Sequence, residues 1–227
     1  MSKEGRCLGL IGGLGPDATV HYYRELVAAF EKHERVLRLL IAHADYPRVY
    51  SLVTSKDYDG LARYLAGLIA NMAAGGAEVS AIVAATPHIC AAQLTALSPL
   101  PLVNMLSVVP QAVRARGLKR VALLGTRFTL ETKMFGCLSD VEVVMPSANE
   151  IDRIHACYVD FVTGRGSDAR REELRQLAQT FVTRDHAQAV LIAGTDLSTV
   201  FTESNAGFPL MDCARVHIDA IVQQLLG

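Results

Sequence analysis

Four short apolar runs without polar alternation punctuate the chain: Cys7 to Ile11, Val79 to Val83, Val121 to Leu124 and Ala189 to Ile192. Runs of this kind, bounded by glycine or threonine, predict strands buried on both faces of a parallel sheet. Between them the spacing turns helical. Val20, Tyr23, Leu26, Val27 and Phe30 predict a helix over 18–32, with Pro16 where a first turn tolerates it. Further helices are predicted over 57–74, ending at Gly75 and Gly76, over 108–116, ending at Gly117, from Leu130 onward, and over 148–161, 172–184 and 214–226. Shorter strands are expected at 36–41, 98–103 and 141–144. The polar, proline-bearing stretch from His43 to Arg48 predicts a loop at a strand's carboxyl end.

Helices that regularly separate apolar strands define an α/β fold of βαβ units, with ligands bound at the carboxyl ends of the strands. Two pairs of loops read as one design written twice. Ile11 to Thr19 goes with Val83 to His88, and Leu124 to Thr129 goes with Ala193 to Asp196. The separation from Gly12 to Ala84 is 72 residues, and that from Gly125 to Gly194 is 69. The expected architecture is therefore two similar open parallel-sheet α/β domains related by pseudo-twofold symmetry, with the site in the interdomain cleft. The first half covers 1–104 and the second 105–207. Residues 208–227 are expected to form a strand and helix returning to the first half.

A formal charge of −1 over 227 residues provides no field to attract nucleic acid or anionic lipid. The N-terminal residues lead into the first strand without an apolar signal segment, and no run is long enough to span a bilayer. A soluble cytoplasmic protein is expected. Five scattered cysteines, Cys7, Cys90, Cys137, Cys157 and Cys213, suggest neither a disulfide framework nor a metal site.

The candidate chemistry lies in the repeated loops. Gly13 to Ala18 fits the G-x-G-x-x-A pattern of dinucleotide-binding turns, but a helix N-terminus with open amides binds carboxylates as readily as phosphates. Small carboxylates are favoured over a nucleotide, and no cofactor is expected. Thr86 and Thr195 occupy equivalent positions and can each donate a hydroxyl hydrogen bond to a carboxylate, or else cap the helix that follows. His88 and Asp196 are the readily titratable side chains of their loops and are candidate proton carriers; the competing roles are an ordinary loop histidine and a helix cap. Arg48, and less strongly Arg165 between two glycines, offer forked donors for a carboxylate. Cys90 and Cys213 fall near these loops, where a buried apolar thiol is the common fate.

Together these motifs resemble the aspartate/glutamate racemase family, whose members work without pyridoxal phosphate. The resemblance rests on IGGLGPDAT (Ile11 to Thr19), GTRFT (Gly125 to Thr129), Thr86-Pro87-His88, Gly194-Thr195-Asp196, and Pro209 to Asp212 with His217. It implies two similar α/β halves, a site between them and a homodimer. It also implies a mechanism in which one thiolate removes the α-proton while a thiol on the opposite face supplies another. The family's loops read Cys-Asn-Thr and Gly-Cys-Thr-Glu, whereas this chain reads Ala84-Ala85-Thr86 and Ala193-Gly194-Thr195-Asp196. Both thiol positions are lost, to Ala84 and Gly194. The neighbouring asparagine has become Ala85, which stays a candidate substrate contact, whereas the other carboxylate-holding positions implied by the resemblance, Gly13, Leu14, Arg48, Thr86, Thr129 and Thr195, survive better.

Two functions compete on these grounds. One is a cofactor-independent isomerase, racemase-like enzyme or lyase acting on a small carboxylic acid through His88 and Asp196. The other is a catalytically silent relative that binds an amino acid or dicarboxylate as a sensor or partner. Restoring both cysteines together is expected to yield weak racemisation if the site is otherwise intact.

Overall fold

The computed structural model describes residues 5–227; the first four residues of the expected first half lie outside the described residues. The chain divides into two compact units, residues 1–105 with 217–227, and residues 106–216. Each unit is an α/β assembly around a wholly parallel sheet.

The first unit orders its strands β2-β1-β3, from β1 (Leu8–Gly12), β2 (Leu39–His43) and β3 (Val79–Ile82). Every residue of β1 and β3 is buried, as continuous apolar runs require, whereas β2 is the partly exposed edge. Helix α1 (Pro16–Lys32) places Asp17 in its first turn and Lys32 in its last, the arrangement the helix dipole favours. It buries Ala18, Tyr22, Leu26 and Phe30. Helix α3 (Tyr58–Ala74) starts where the Asp57 carboxylate accepts the Gly60 N–H at 2.8 Å.

Three local expectations fail in this unit. The stretch entered at His43 is not a loop throughout, because the Asp45 side chain accepts from the Arg48 N–H at 3.1 Å and caps α2 (Tyr46–Thr54). Arg48 therefore stands on a helix, and Pro47 occupies a first-turn position that needs no N–H donor. Thr86–Cys90 is a turn of 3-10 helix running into α4 (Ala91–Leu97), which the apolar periodicity did not reveal. The expected strand at 98–103 contracts to a single bridge between Ser80 and Leu102, since Pro99 and Pro101 have no N–H to donate to a ladder.

The second unit orders its strands β5-β4-β6-β7, from β4 (Arg120–Leu124), β5 (Glu142–Val143), β6 (Ala189–Ile192) and β7 (Leu210–Asp212). Its internal plan repeats that of the first. Val83 N–H donates to the Ile11 carbonyl at 3.1 Å, as Ala193 N–H does to Leu124 at 2.8 Å; Ser80 N–H donates to Pro101, as Val190 N–H does to Pro209. Helix α5 (Met105–Ala115) precedes β4. Helix α7 (Ala148–Val162) begins with a capping box in which Ser147 and Glu150 satisfy each other's backbone N–H, and Arg184 holds Glu150 at 2.8 Å. Helix α8 (Asp168–Thr183) and helix α9 (Cys213–Leu226) complete the chain.

Two expectations need correcting here. The helix from Leu130 is the short α6 (Arg127–Glu131), followed by four consecutive residues at positive φ, Lys133 to Gly136. The segment 208–227 divides between the two units. Leu210, Met211 and Asp212 pair in register with Val190, Leu191 and Ile192, so the strand is the edge of the second sheet, and only residues 217–227 count with the first unit.

Candidate active site

In the first unit β1 ends in a glycine turn tied down by one threonine. Thr19 Oγ1 accepts the Gly13 N–H at 3.0 Å and donates to the Gly15 carbonyl at 2.9 Å. No side chain caps the start of α1 at Gly15, and Asp17 stands in its first turn. Leu14 is buried beside it. Gly13 has φ +81°, and an added Cβ would lie 2.6 Å from Nδ1 of His43. His43, exposed at the carboxyl end of β2, thus packs its ring against the turn. It was not among the expected site residues. Its position at a strand's end was legible, but its approach to Gly13 depends on the pairing of Gly12 with His43 across the sheet.

Arg48 is held in a small closed set. Tyr64 Oη accepts the Asp45 N–H at 2.7 Å, and the Arg48 guanidinium carbon lies 4.4 Å from the centre of the Tyr64 ring. Among the described residues the guanidinium has no carboxylate partner, which leaves its fork available to one from outside.

The loop after β3 differs from its expected role. Ala84 and Thr86 are partly exposed and Ala85 is buried. His88 is 1 % exposed. Its Nδ1 bonds the Ala84 carbonyl at 2.9 Å, which makes Nδ1 the protonated nitrogen, while Nε2 is buried and makes no hydrogen bond among the described residues. Burial is the main influence on the ring, pulling its pKa down to about 4 against the raising effect of the Ala84 carbonyl. His88, the candidate proton carrier of this loop, is thus a buried neutral ring that braces the turn.

In the second unit the Thr126 hydroxyl accepts the Thr129 N–H at 3.1 Å and meets the Thr129 hydroxyl at 2.9 Å. Thr129 is buried, so its hydroxyl serves the cap of α6. Thr195 and Asp196 are buried in a 3-10 turn, Thr195–Thr199, that has no side-chain cap at Gly194. The Asp196 carboxylate accepts the Tyr158 hydroxyl at 2.8 Å. A Cβ added at Gly194 would fall 2.5 Å from Cε2 of the same Tyr158 ring. Tyr158, carried by α7, was missed because nothing in its helical spacing announces a partner 38 residues away. Arg165 is exposed, and its Nε lies 3.4 Å from Asp160, whose carboxylate also holds Arg170.

Each of the five thiols is pushed upward, with burial as the leading cause. Cys90 rises to about 12, Cys137 and Cys157 to about 11, and Cys213 goes well above the usual range. None is therefore a thiolate at neutral pH. Among the described residues no group of three His, Cys, Asp or Glu side chains is placed to hold a metal, and no helix is long and apolar enough to cross a membrane.

The fold defines a class of parallel α/β units whose turns gather at the strand ends. The Asp/Glu/Hydantoin racemase family model matches residues 11–221, and the chain belongs to that family. Similar solved structures include a candidate Asp/Glu racemase from Yersinia pestis, at TM-score 0.85 and 23 % identity, covering 98 % of this chain and 100 % of that one. An aspartate racemase homologue from Pyrococcus horikoshii OT3 follows at TM-score 0.84 and 20 % identity, covering 98 % and 100 %. The Picrophilus torridus aspartate racemase gives 0.77 and 20 %, covering 97 % and 94 %.

Proposed function

We propose that this chain binds a small amino acid or dicarboxylate and moves a proton at the carbon beside its carboxylate, without a cofactor and without a thiol. The reaction is of the racemase, isomerase or lyase kind. One observation carries the reading: Asp196 is a buried carboxylate, and it accepts a hydrogen bond from a tyrosine in the loop where the resemblance puts the family's second proton carrier. A buried carboxylate with a proton-bearing partner is a suitable acid/base group.

In this reading the α1 turn at Gly13 and Leu14, the backbone of Ala85, the hydroxyls of Thr86 and Thr195, and the Arg48 fork bind substrate carboxylates. Thr129 fixes the turn through Thr126, and Arg165 is an outlying contact whose pairing with Asp160 would have to break. His88 keeps a place in the site as the brace of the Ala84 turn; its buried Nε2 argues against direct proton transfer.

A catalytically silent binder is the second reading, and a specific observation favours it. Ala84 bears no proton, His88 is sealed off, and the five thiols are held protonated, so the first unit lacks a buried proton carrier at its loop after β3. A cytoplasmic homodimer is part of the proposal; five cysteines that form no disulfide suit a reducing compartment, and sedimentation at several concentrations tests the dimer.

The experiment is Cα deuteration in D2O, followed by NMR, with D- and L-aspartate, D- and L-glutamate and D- and L-alanine, beside calorimetric titration of the same compounds. Binding with exchange above buffer supports the enzyme. Binding without exchange establishes the silent relative, and absence of both rejects the substrate class.

A further inference from the structure

We propose that Tyr158 is a catalytic residue that takes the place of the missing second thiol, with Asp196 as the acceptor of its proton. The proposal rests on the reading above that this chain moves a proton beside a carboxylate.

At Gly194, where the resemblance expects a cysteine, the volume that a side chain would fill holds the edge of the Tyr158 ring. An ideal Cβ there would be 2.5 Å from Cε2 and 3.1 Å from Cδ2. Cε2 adjoins the carbon that bears the hydroxyl, so the phenol oxygen is one bond further along the same edge. Gly194 thus accommodates the aromatic ring: any larger residue would have to displace it.

Tyr158 Oη donates to Asp196 Oδ2 at 2.8 Å, two residues beyond the vacated position and on the same 3-10 turn. A phenol in water is a poor base, because at neutral pH it holds its proton; a carboxylate already receiving that proton relieves this. The step then balances. The phenol oxygen takes the proton from the carbon beside the substrate carboxylate as the phenolic proton passes to Asp196. The C–H electron pair is delocalised into that carboxylate as an enediolate. In reverse, Asp196 returns its proton to the phenol oxygen, and the phenol protonates the carbon. Nothing is oxidised or reduced.

Tyr158 and Asp196 lie in one unit, and a single dyad serves one face of a planar carbanion. The expected chemistry is therefore exchange with solvent on that face, with retention, running faster than any racemisation.

The test uses the full chain and the same aspartate, glutamate and alanine probes in D2O. Tyr158→Phe keeps the ring against Gly194 and removes only the oxygen. It is expected to melt within a few degrees of the parent, bind with a Kd within about threefold, and exchange about 100-fold more slowly or worse. Asp196→Asn is expected to lower kcat with little change in KM, and Asp196→Glu to recover part of the loss. If Tyr158→Phe exchanges as fast as the parent, the dyad is overturned while the proposed function stands. If the parent binds the probes and exchanges none of them, both fall. Should Tyr158→Phe misfold, the split between the two Asp196 variants decides: equal loss of binding and rate in both marks a structural role and overturns the proposal.

Discussion

His88 and His217 meet edge to face in the interior of the first unit, their ring centroids 5.6 Å apart. His217 is completed by two further bonds. Its Nε2 reaches the Val103 carbonyl at 2.8 Å, which makes that nitrogen the donor, so Nδ1 accepts the Tyr22 hydroxyl at 3.0 Å. The last helix is thereby fastened to α1 and to residue 103 through one neutral imidazole. Desolvation dominates its titration, reinforced by the nearby His88, and lowers its pKa to about 3.

This pair makes stability fall in acid. Both folded values lie below the ordinary 6.5, so the unfolded chain binds more protons, and stability is full above that value and declines as pH falls from about 6.5 through 4 to 3. For His88 alone the linkage amounts to roughly 3 kcal/mol once pH is below its folded value. Urea denaturation between pH 8 and 4 checks the sign. A midpoint that holds steady or rises on acidification would contradict buried neutral imidazoles.

Gly194→Cys, taken alone, should destabilise the second unit by about 1–3 kcal/mol, the usual cost of overpacking, because its Cβ meets the Tyr158 ring. Adding Tyr158→Ala is expected to make room for the thiol. Any racemisation gained by restoring both cysteines should therefore appear in Ala84→Cys, Gly194→Cys, Tyr158→Ala and not in the double-cysteine variant. Polarimetry of aspartate and glutamate reads the difference.

Arg48→Met removes the fork and leaves an exposed helix position. Stability should fall by about 0.5–1 kcal/mol, the worth of an exposed cation–π contact. Affinity for aspartate should fall by about 1.5–3 kcal/mol, the range for hydrogen bonds to charged groups. Calorimetry and thermal melts on one preparation separate the two effects, and an unchanged Kd would remove Arg48 from the site.

Gly13→Ala places a side chain where φ is +81° and the His43 ring already lies. A cost of about 1–2 kcal/mol from the backbone alone is expected, together with a shifted His43 ring resonance in NMR. An unmoved resonance would show that His43 does not pack on the turn.

The thiols offer a simple control. Cys90 and Cys213 are buried with raised pKa values, so iodoacetamide at pH 7 should label neither until denaturant is added. Cys90→Ser and Cys213→Ser should leave deuterium exchange intact if no sulfur takes part.

The sequence by itself determined the parallel α/β plan, because four largely apolar runs admit few other placements, and β6 lies where its run predicts. It also determined the vacancy at Ala84 and Gly194, which is a fact of composition within recognisable motifs. Local readings failed where a polar or proline-rich stretch could turn either way: the Asp45 cap drew Arg48 onto a helix, and Pro99 and Pro101 reduced a strand to one bridge. Only the tertiary structure decided which side chains stand at the vacated positions. His88 looks like a loop residue until the Ala84 carbonyl and His217 of the last helix meet its ring, and Tyr158 looks like a helix-surface aromatic until α7 packs against the Gly194 turn. Hydrophobic periodicity records which face of an element is buried. It cannot record which distant backbone leaves a gap, and the gap at Gly194 is where the Tyr158 ring lies.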